Sequence, residues 1–396
     1  MPLFNNYGDV RTSTSTATDP SFVKGYATAN DGGEGLFVYD ATSVAPDNDG
    51  TVLSHTSGTG RWLRLYDGYV NVQWFGVRPG SASYATNNTL RLTNAINNGG
   101  TQFLIPKGVF YINNLLGFGS KNNRSIFADS ATIINTNKLS GTMSFENCED
   151  ITIEGGIWTR EGDYTQNDAY GSTHTFIFGN CAGIRVDRVH IDKSPQAGIS
   201  MINVFDAVIS DCRIQNCWRD GIYAHFAANV TYIGNHLQDI KDDAMSIHEY
   251  GITTAGVRSR MEAAGFTVGG HSVVANNTVS NAYTGFASIG CENIVVSNNQ
   301  IEKTVTAGVA IFNDSYDWPL ARVKKISISN NLFDENCGTQ MIMGVSYSLS
   351  DCDLISRARA TIFVGTLLYR GTLCGTHIIP DPNSPGSAAR LSNVII

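Results

Sequence analysis

Two segments of the chain carry the same chemically active pair in the same order. Asp220-Gly221-Ile222-Tyr223-Ala224-His225 sets an aspartate five residues before a histidine, and Asp243-Ala244-Met245-Ser246-Ile247-His248 repeats the arrangement 23 residues later. Asp242 adds a third carboxylate, Arg219 precedes the first, and Glu249 and Tyr250 follow the second histidine. Carboxylates held close together do acid–base chemistry, because mutual repulsion raises one pKa and keeps a proton available near neutral pH. One aspartate beside a glycine is ordinarily a turn residue. Five acids and histidines in register, Asp220, Asp242, Asp243, His225 and His248, read as a site.

A register of this kind requires a repeating scaffold. Gly198 to Gly221 is 23 residues and Gly285 to Gly308 is again 23, while Ala244 to Gly285 is 41, one repeat plus an insertion of 18. A second strand follows each first one: Ile184-Arg185-Val186, Ala207-Val208-Ile209, Val230-Thr231-Tyr232, Ser272-Val273-Val274, Ile294-Val295-Val296 and Ile326-Ser327-Ile328. A turn column Val189, Cys212, Asn235, Asn277, Asn299, Asn331 closes each of these and predicts an inward asparagine ladder. A fixed period in this range is the signature of a solenoid. The expected fold is therefore all-β, a right-handed single-stranded parallel β-helix.

Stacked coils lie about 4.8 Å apart. Residues before each glycine then form the column Ala197, Asp220, Asp243, Thr284, Ala307, and those four after it the column Ile202, His225, His248, Ile289, Phe312. Alternation points Tyr223, His225, Ser246 and His248 outward and Met245 and Ile247 into the core. Insertions at 250–269 and 314–322 leave the helix just after this strand. They are expected to wall the same flank with Arg258, Arg260, Asp314, Tyr316 and Trp318. Exposed aromatics beside carboxylates suit sugar rings, with their apolar faces and hydroxyl rims. A third insertion, 159–172, carries Glu161, Asp163 and Tyr164 and is expected to shape the same groove further along.

The organisation expected for the rest is a Thr- and Ser-rich linker or contact arm over 1–25, a small β module over 26–70, and the β-helix over 71–396. Leu92, Ala95 and Ile96, at helical spacing, predict a capping helix near 88–98. Leu391–Ile396 looks like half of another coil, so the natural product is expected to continue or a partner to cover this end. A net charge of −8 lacks the basic footprint of a nucleic-acid partner. No apolar run is long enough to span a membrane, and the N-terminus has no secretory pattern. Eight cysteines without paired metal-ligand spacing read as small core residues. The site calls for no cofactor or metal.

Two resemblances rest on these residues. Residues 181–340 look like the pectin-lyase-like superfamily of parallel β-helices. Asp220-Gly221-Ile222 followed by Asp242-Asp243-Ala244-Met245-Ser246-Ile247 is similar to the acid pattern of the polygalacturonase family, whose three aspartates perform inverting hydrolysis. The likeness stops there. Tyr283-Thr284-Gly285 and Ala310-Ile311-Phe312 stand where that family has Gly-His-Gly and Arg-Ile-Lys, which argues against pectin as substrate. Gly32-Gly33-Glu34-Gly35-Leu36-Phe37-Val38-Tyr39-Asp40, Arg61-Trp62-Leu63-Arg64 and Val72-Gln73-Trp74-Phe75-Gly76 resemble the module that precedes bacteriophage tailspike and capsule-depolymerase β-helices. That resemblance implies a homotrimer in the virion tail, attached through its N-terminal region and acting at the host surface on a capsule, exopolysaccharide or O-antigen.

The leading expectation is a glycoside hydrolase with Asp243 as general acid and Asp220 and Asp242 on the water-activating side. His248 would orient substrate or tune an acid. His225, Tyr223, Arg219, Glu249, Tyr250, Asp314, Tyr316 and Trp318 would contact the sugar. A polysaccharide lyase would instead use His248 or His225 as base and Tyr223 or Tyr250 as acid, and a purely binding tail protein would use the same groove without turnover.

Overall fold

The structure of the protein is a computed structural model. It describes residues 1–13, 19–56, 58–162, 173–248, 263, 271–289, 292–312, 324–334, 337, 341–344, 353–357, 360–364, 367–371 and 392–395. The expected parallel β-helix is present. Strands Ala182–Asp187, Phe205–Ser210, Ala228–Ile233, Ser272–Ala275, Glu292–Ser297 and Lys324–Ser329 pair in parallel, each with the next, in one long sheet. A second sheet carries the glycine-led strands, among them Ile199–Ile202, Ile222–His225, His236–His248, Thr278–Ile289 and Gln300–Phe312. Thr231 pairs directly with Val273, so the register of this sheet is kept between these two coils.

The sequence explains this stacking. Inward positions are apolar and sealed: Ile184, Val186, Ile209, Val230, Ile294 and Ile326 belong to one continuous core. Early coils fill it with aromatics, Phe118 on Phe145 at 5.0 Å and Phe145 on Phe178 at 5.6 Å. The asparagine column forms the ladder its spacing implies. Asn277 Nδ2 donates to Asn299 Oδ1 at 2.9 Å, and Asn235 Nδ2 donates to Asn277 Oδ1 at 3.0 Å, with all three residues buried. Such a ladder satisfies turn amides that the core would otherwise leave orphaned. Gly221 is required by close approach. A Cβ there would stand 2.5 Å from the Ala244 carbonyl oxygen of the next coil.

The helix Ala85–Asn98 buries Leu92, Ala95 and Ile96 in the core that also holds Phe103 and Phe110 of the first coils. Residues 1–25 differ from the expected arm. Leu3–Phe4 and Ser21–Val23 pair with each other, and Ser21–Val23 pairs with Gly35–Asp40 in a five-stranded sheet. Between them the helix Tyr7–Thr12 buries Tyr7 and Val10 against Phe37 and Trp62. The Thr and Ser content suggests a solvated arm, yet strand pairing at both ends and the buried Tyr7, Val10 and Val23 hold the described parts of this segment to the module. Cys148, Cys181, Cys212, Cys217 and Cys337 are buried free thiols, as core residues would be. Cys291, Cys352 and Cys374 lie outside the described residues.

Candidate active site

Asp220 ends the turn that leads into Ile222–His225, and Asp243 lies within His236–His248 one coil on. The Gly221 amide donates to the Asp243 carbonyl at 3.0 Å, which fixes the two aspartates at equivalent places in adjacent coils. Asp243 pairs in turn with Thr284. Between Ile240 and Asp243 the ladder slips register. A bulge of this kind bends a strand and re-aims side chains. Asp242 acts on Asp220 electrostatically, and Asp220 and Asp242 both act on Asp243.

The three carboxylates have different surroundings. Asp220 is 4% exposed and accepts a 2.5 Å hydrogen bond from Ser246 Oγ. Ser246 faces outward by strand parity yet is wholly buried, its carbonyl accepting from the Tyr232 hydroxyl at 3.1 Å. Burial, then the charge of Asp242, pushes the Asp220 carboxyl up to about 7. Asp243 is raised well above the usual carboxylate range by burial and by both neighbouring aspartates, against a hydrogen bond from Thr284 and the charge of Arg219. Asp242 is more open, its side chain 39% exposed, with Arg219 Nε 3.7 Å from its Oδ2. Burial raises it too, and Arg219 opposes the rise. Three like charges in so little solvent cannot all ionise near neutral pH, so the group retains a proton.

The histidine column lies alongside. His225 pairs with His248 and Tyr223 with Ser246 across adjacent strands. The Tyr223 hydroxyl hydrogen-bonds His225 Nδ1 at 2.8 Å, and its ring meets His248 edge-on at 5.6 Å. Burial drives His225 down to about 4; burial, His225 and Arg219 drive His248 to about 3. Both imidazoles are therefore neutral at physiological pH, with little basicity.

The structure thus groups Asp220, Asp242 and Asp243 with Arg219, and groups Tyr223, His225 and His248 with one another further along the same strands. Glu249, Tyr250, Asp314, Tyr316 and Trp318, with Arg258 and Arg260, lie outside the described residues. Sequence reasoning missed Ser246 and Thr284 as carboxylate partners, although the aspartate column passes through Thr284. It also missed Phe226, whose ring stacks on His225 at 4.0 Å.

Residues 157–354 match the family described as a right-handed β-helix region. The chain belongs to the right-handed β-helix family. Residues 4–67 of this β-helix protein match the small four-stranded β-sheet domain of phage tail proteins, which places it in the virion tail. Among curated proteins no sequence matches the chain. Of the solved structures, the tailspike protein of Acinetobacter baumannii phage AM24 is similar over 91% of this chain and 62% of its own, with TM-score 0.62 and 12% identity. The catalytic unit of a GH87 α-1,3-glucanase from Streptomyces thermodiastaticus strain HF3-3 is similar over 77% of this chain and 58% of its own, with TM-score 0.56 and 16% identity. Pantoea stewartii WceF, a glycan biofilm modifying enzyme with a tailspike-like fold, is similar over 95% of this chain and 54% of its own, with TM-score 0.55 and 13% identity. At such identities the likeness is one of fold, and the chain spans less than two thirds of each of these structures.

Proposed function

We propose that this β-helix protein of the phage tail hydrolyses glycosidic bonds of a bacterial surface polysaccharide at the Asp220–Asp242–Asp243 group. The observation that carries the reading is that two carboxyls at equivalent places in adjacent coils are both pushed up beside a more open third, Asp242: Asp220 by burial and the charge of Asp242, Asp243 by burial and both other aspartates. Hydrolysis needs that division of labour, an acid that keeps its proton until the leaving oxygen takes it and an ionised carboxylate that accepts one from water. Asp243 donates its proton to the glycosidic oxygen as the bond from the anomeric carbon breaks. Asp242, beside Arg219, takes the proton from the water whose oxygen bonds that carbon, with Asp220 on the same water-activating side. His225, Tyr223 and His248 line the flank and bind hydroxyls as neutral partners. The fold shared with a tailspike, an α-1,3-glucanase and a glycan-modifying enzyme supports a polysaccharide as substrate. Assembly as a homotrimer held to the virion by the N-terminal domain belongs to the same reading.

A lyase on this scaffold would need an effective base, and histidines depressed to about 4 and about 3 are poorly matched to that task. The test uses surface polysaccharide purified from a strain on which the phage grows. Asp243→Asn is expected to abolish release of reducing ends while oligomer size stays unchanged and the melting temperature does not fall. Full activity in that variant defeats the assignment. An ultraviolet-absorbing unsaturated product from the wild type replaces hydrolysis by elimination. Retained binding without new reducing ends replaces it by simple adhesion.

A further inference from the structure

The outer face of the sheet that carries Ala182–Asp187 holds a groove of about 500 Å³. Ser125, Thr152, Arg185 and Val208 lie along it, paired in register across four coils. Two residues before each of these, Asn123, Asp150, Gly183 and Asp206 form a second row with left-handed backbone, φ 54°, 56°, 66° and 58°. Of these four, Gly183 alone has no side chain, and the gap falls between two carboxylates. Asp150 overhangs it, since a Cβ on Gly183 would stand 2.6 Å from Asp150 Oδ1. Asp206, on the far side, accepts from Asn229 Nδ2 at 3.2 Å. Arg185 rises from the same coil as the gap, between the core residues Ile184 and Val186. It is exposed, and its guanidinium makes no ion pair or hydrogen bond among the described residues.

We infer that this groove binds a second stretch of the polysaccharide through its hydroxyls and does not cleave it. It lies on a different sheet from Ile222–His225 and His236–His248, the strands that position the acids. The lining decides the class of ligand. A hydroxyl both donates and accepts, so neighbouring hydroxyls need donors and acceptors side by side. Arg185 supplies fixed donors, Asp150 and Asp206 supply acceptors, and Asn123, Ser125 and Thr152 supply both. A multiply charged anion would meet the two carboxylates. A peptide cannot add as a strand, because each strand here is already paired on both sides. Nor does it find an apolar anchor, Val208 being the one apolar side chain of the lining outside the core. Coils repeat about every 4.8 Å, close to the advance of one pyranose along an extended glycan, so successive sugars meet successive coils. The identity of the ligand rests on the hydrolase reading, whereas the groove stands on its own geometry. A second point of attachment raises the local concentration of polymer at the acids.

Calorimetric titration with the same purified polysaccharide, in an Asp243→Asn background that prevents turnover, tests the groove. Arg185→Ala is expected to weaken binding about tenfold at unchanged melting temperature, because it removes no internal contact. Gly183→Asn, which tolerates the left-handed backbone and fills the gap, is expected to lose the same affinity, and Arg185→Lys to lose less. Unchanged affinity in Arg185→Ala or Gly183→Asn, or no binding by the background itself, overturns the groove. A changed oligomer size in Arg185→Ala assigns this face to a contact between copies of the chain and overturns it as well. The hydrolase reading fails separately. Wild-type protein that releases no reducing ends, while Arg185→Ala still loses affinity, keeps the groove and gives up the cleavage.

Discussion

Replacing Asp220 by asparagine separates the electrostatics of the site from its packing. The Asp220 carboxyl is nearly sealed from solvent, accepts from Ser246 Oγ at 2.5 Å, and is raised from 3.8 to about 7. Its pKa is higher folded than unfolded, so the folded form holds a proton that the unfolded chain releases near pH 4. The stability contributed by the neutral carboxyl is present in acid, is lost as pH climbs from about 4 to about 7, and stays lost above that. A rise of that size corresponds to about 4 kcal/mol, an upper figure because Asp242 and Asp243 share the same protons. Asparagine has the same shape, offers Oδ1 to Ser246, and carries no charge. Denaturant midpoints of wild type and Asp220→Asn should therefore nearly coincide at about pH 4.5, with the variant the more stable by about 2–4 kcal/mol at about pH 8. The same variant should lose about a hundredfold or more in turnover. A stability difference that is equal at both pH values, or a variant that is less stable in base, would refute the claim that burial and repulsion govern this carboxyl.

Two further outcomes follow from the scaffold. Gly221→Ala would set a Cβ 2.5 Å from the Ala244 carbonyl oxygen and 2.6 Å from the Leu237 side chain, and the backbone partner cannot retreat without opening the coil spacing. A loss of about 1–3 kcal/mol in denaturant titration is expected, and a neutral result would show that the coils are less tightly spaced. Asn277→Ala removes a side chain that accepts from the Asn235 amide at 2.9 Å and donates to the Tyr232 carbonyl at 3.0 Å. Leaving those buried groups unsatisfied should cost about 3 kcal/mol; a loss below about 1 kcal/mol would mean that water substitutes for the ladder.

The repeat was legible in the chain itself. A spacing of 23 between Gly198 and Gly221, strand parity and the Asn235–Asn277–Asn299–Asn331 column fix a parallel stack, because side-chain alternation and ladder bonding are local consequences of residue type. The same register was enough to bring Asp220, Asp242, Asp243, His225 and His248 onto one flank. The folding of residues 1–25 was not legible, since burial of Tyr7 and Val10 against Phe37 and Trp62 depends on partners remote in sequence. Nor could parity reveal that Ser246 is sealed beneath Asp220, or that the ladder slips register between Ile240 and Asp243. Parity states which side of a sheet a residue faces. How much of the next coil covers that residue, and therefore where its pKa lies, is set by solvent exclusion, which exists only once the coils are stacked.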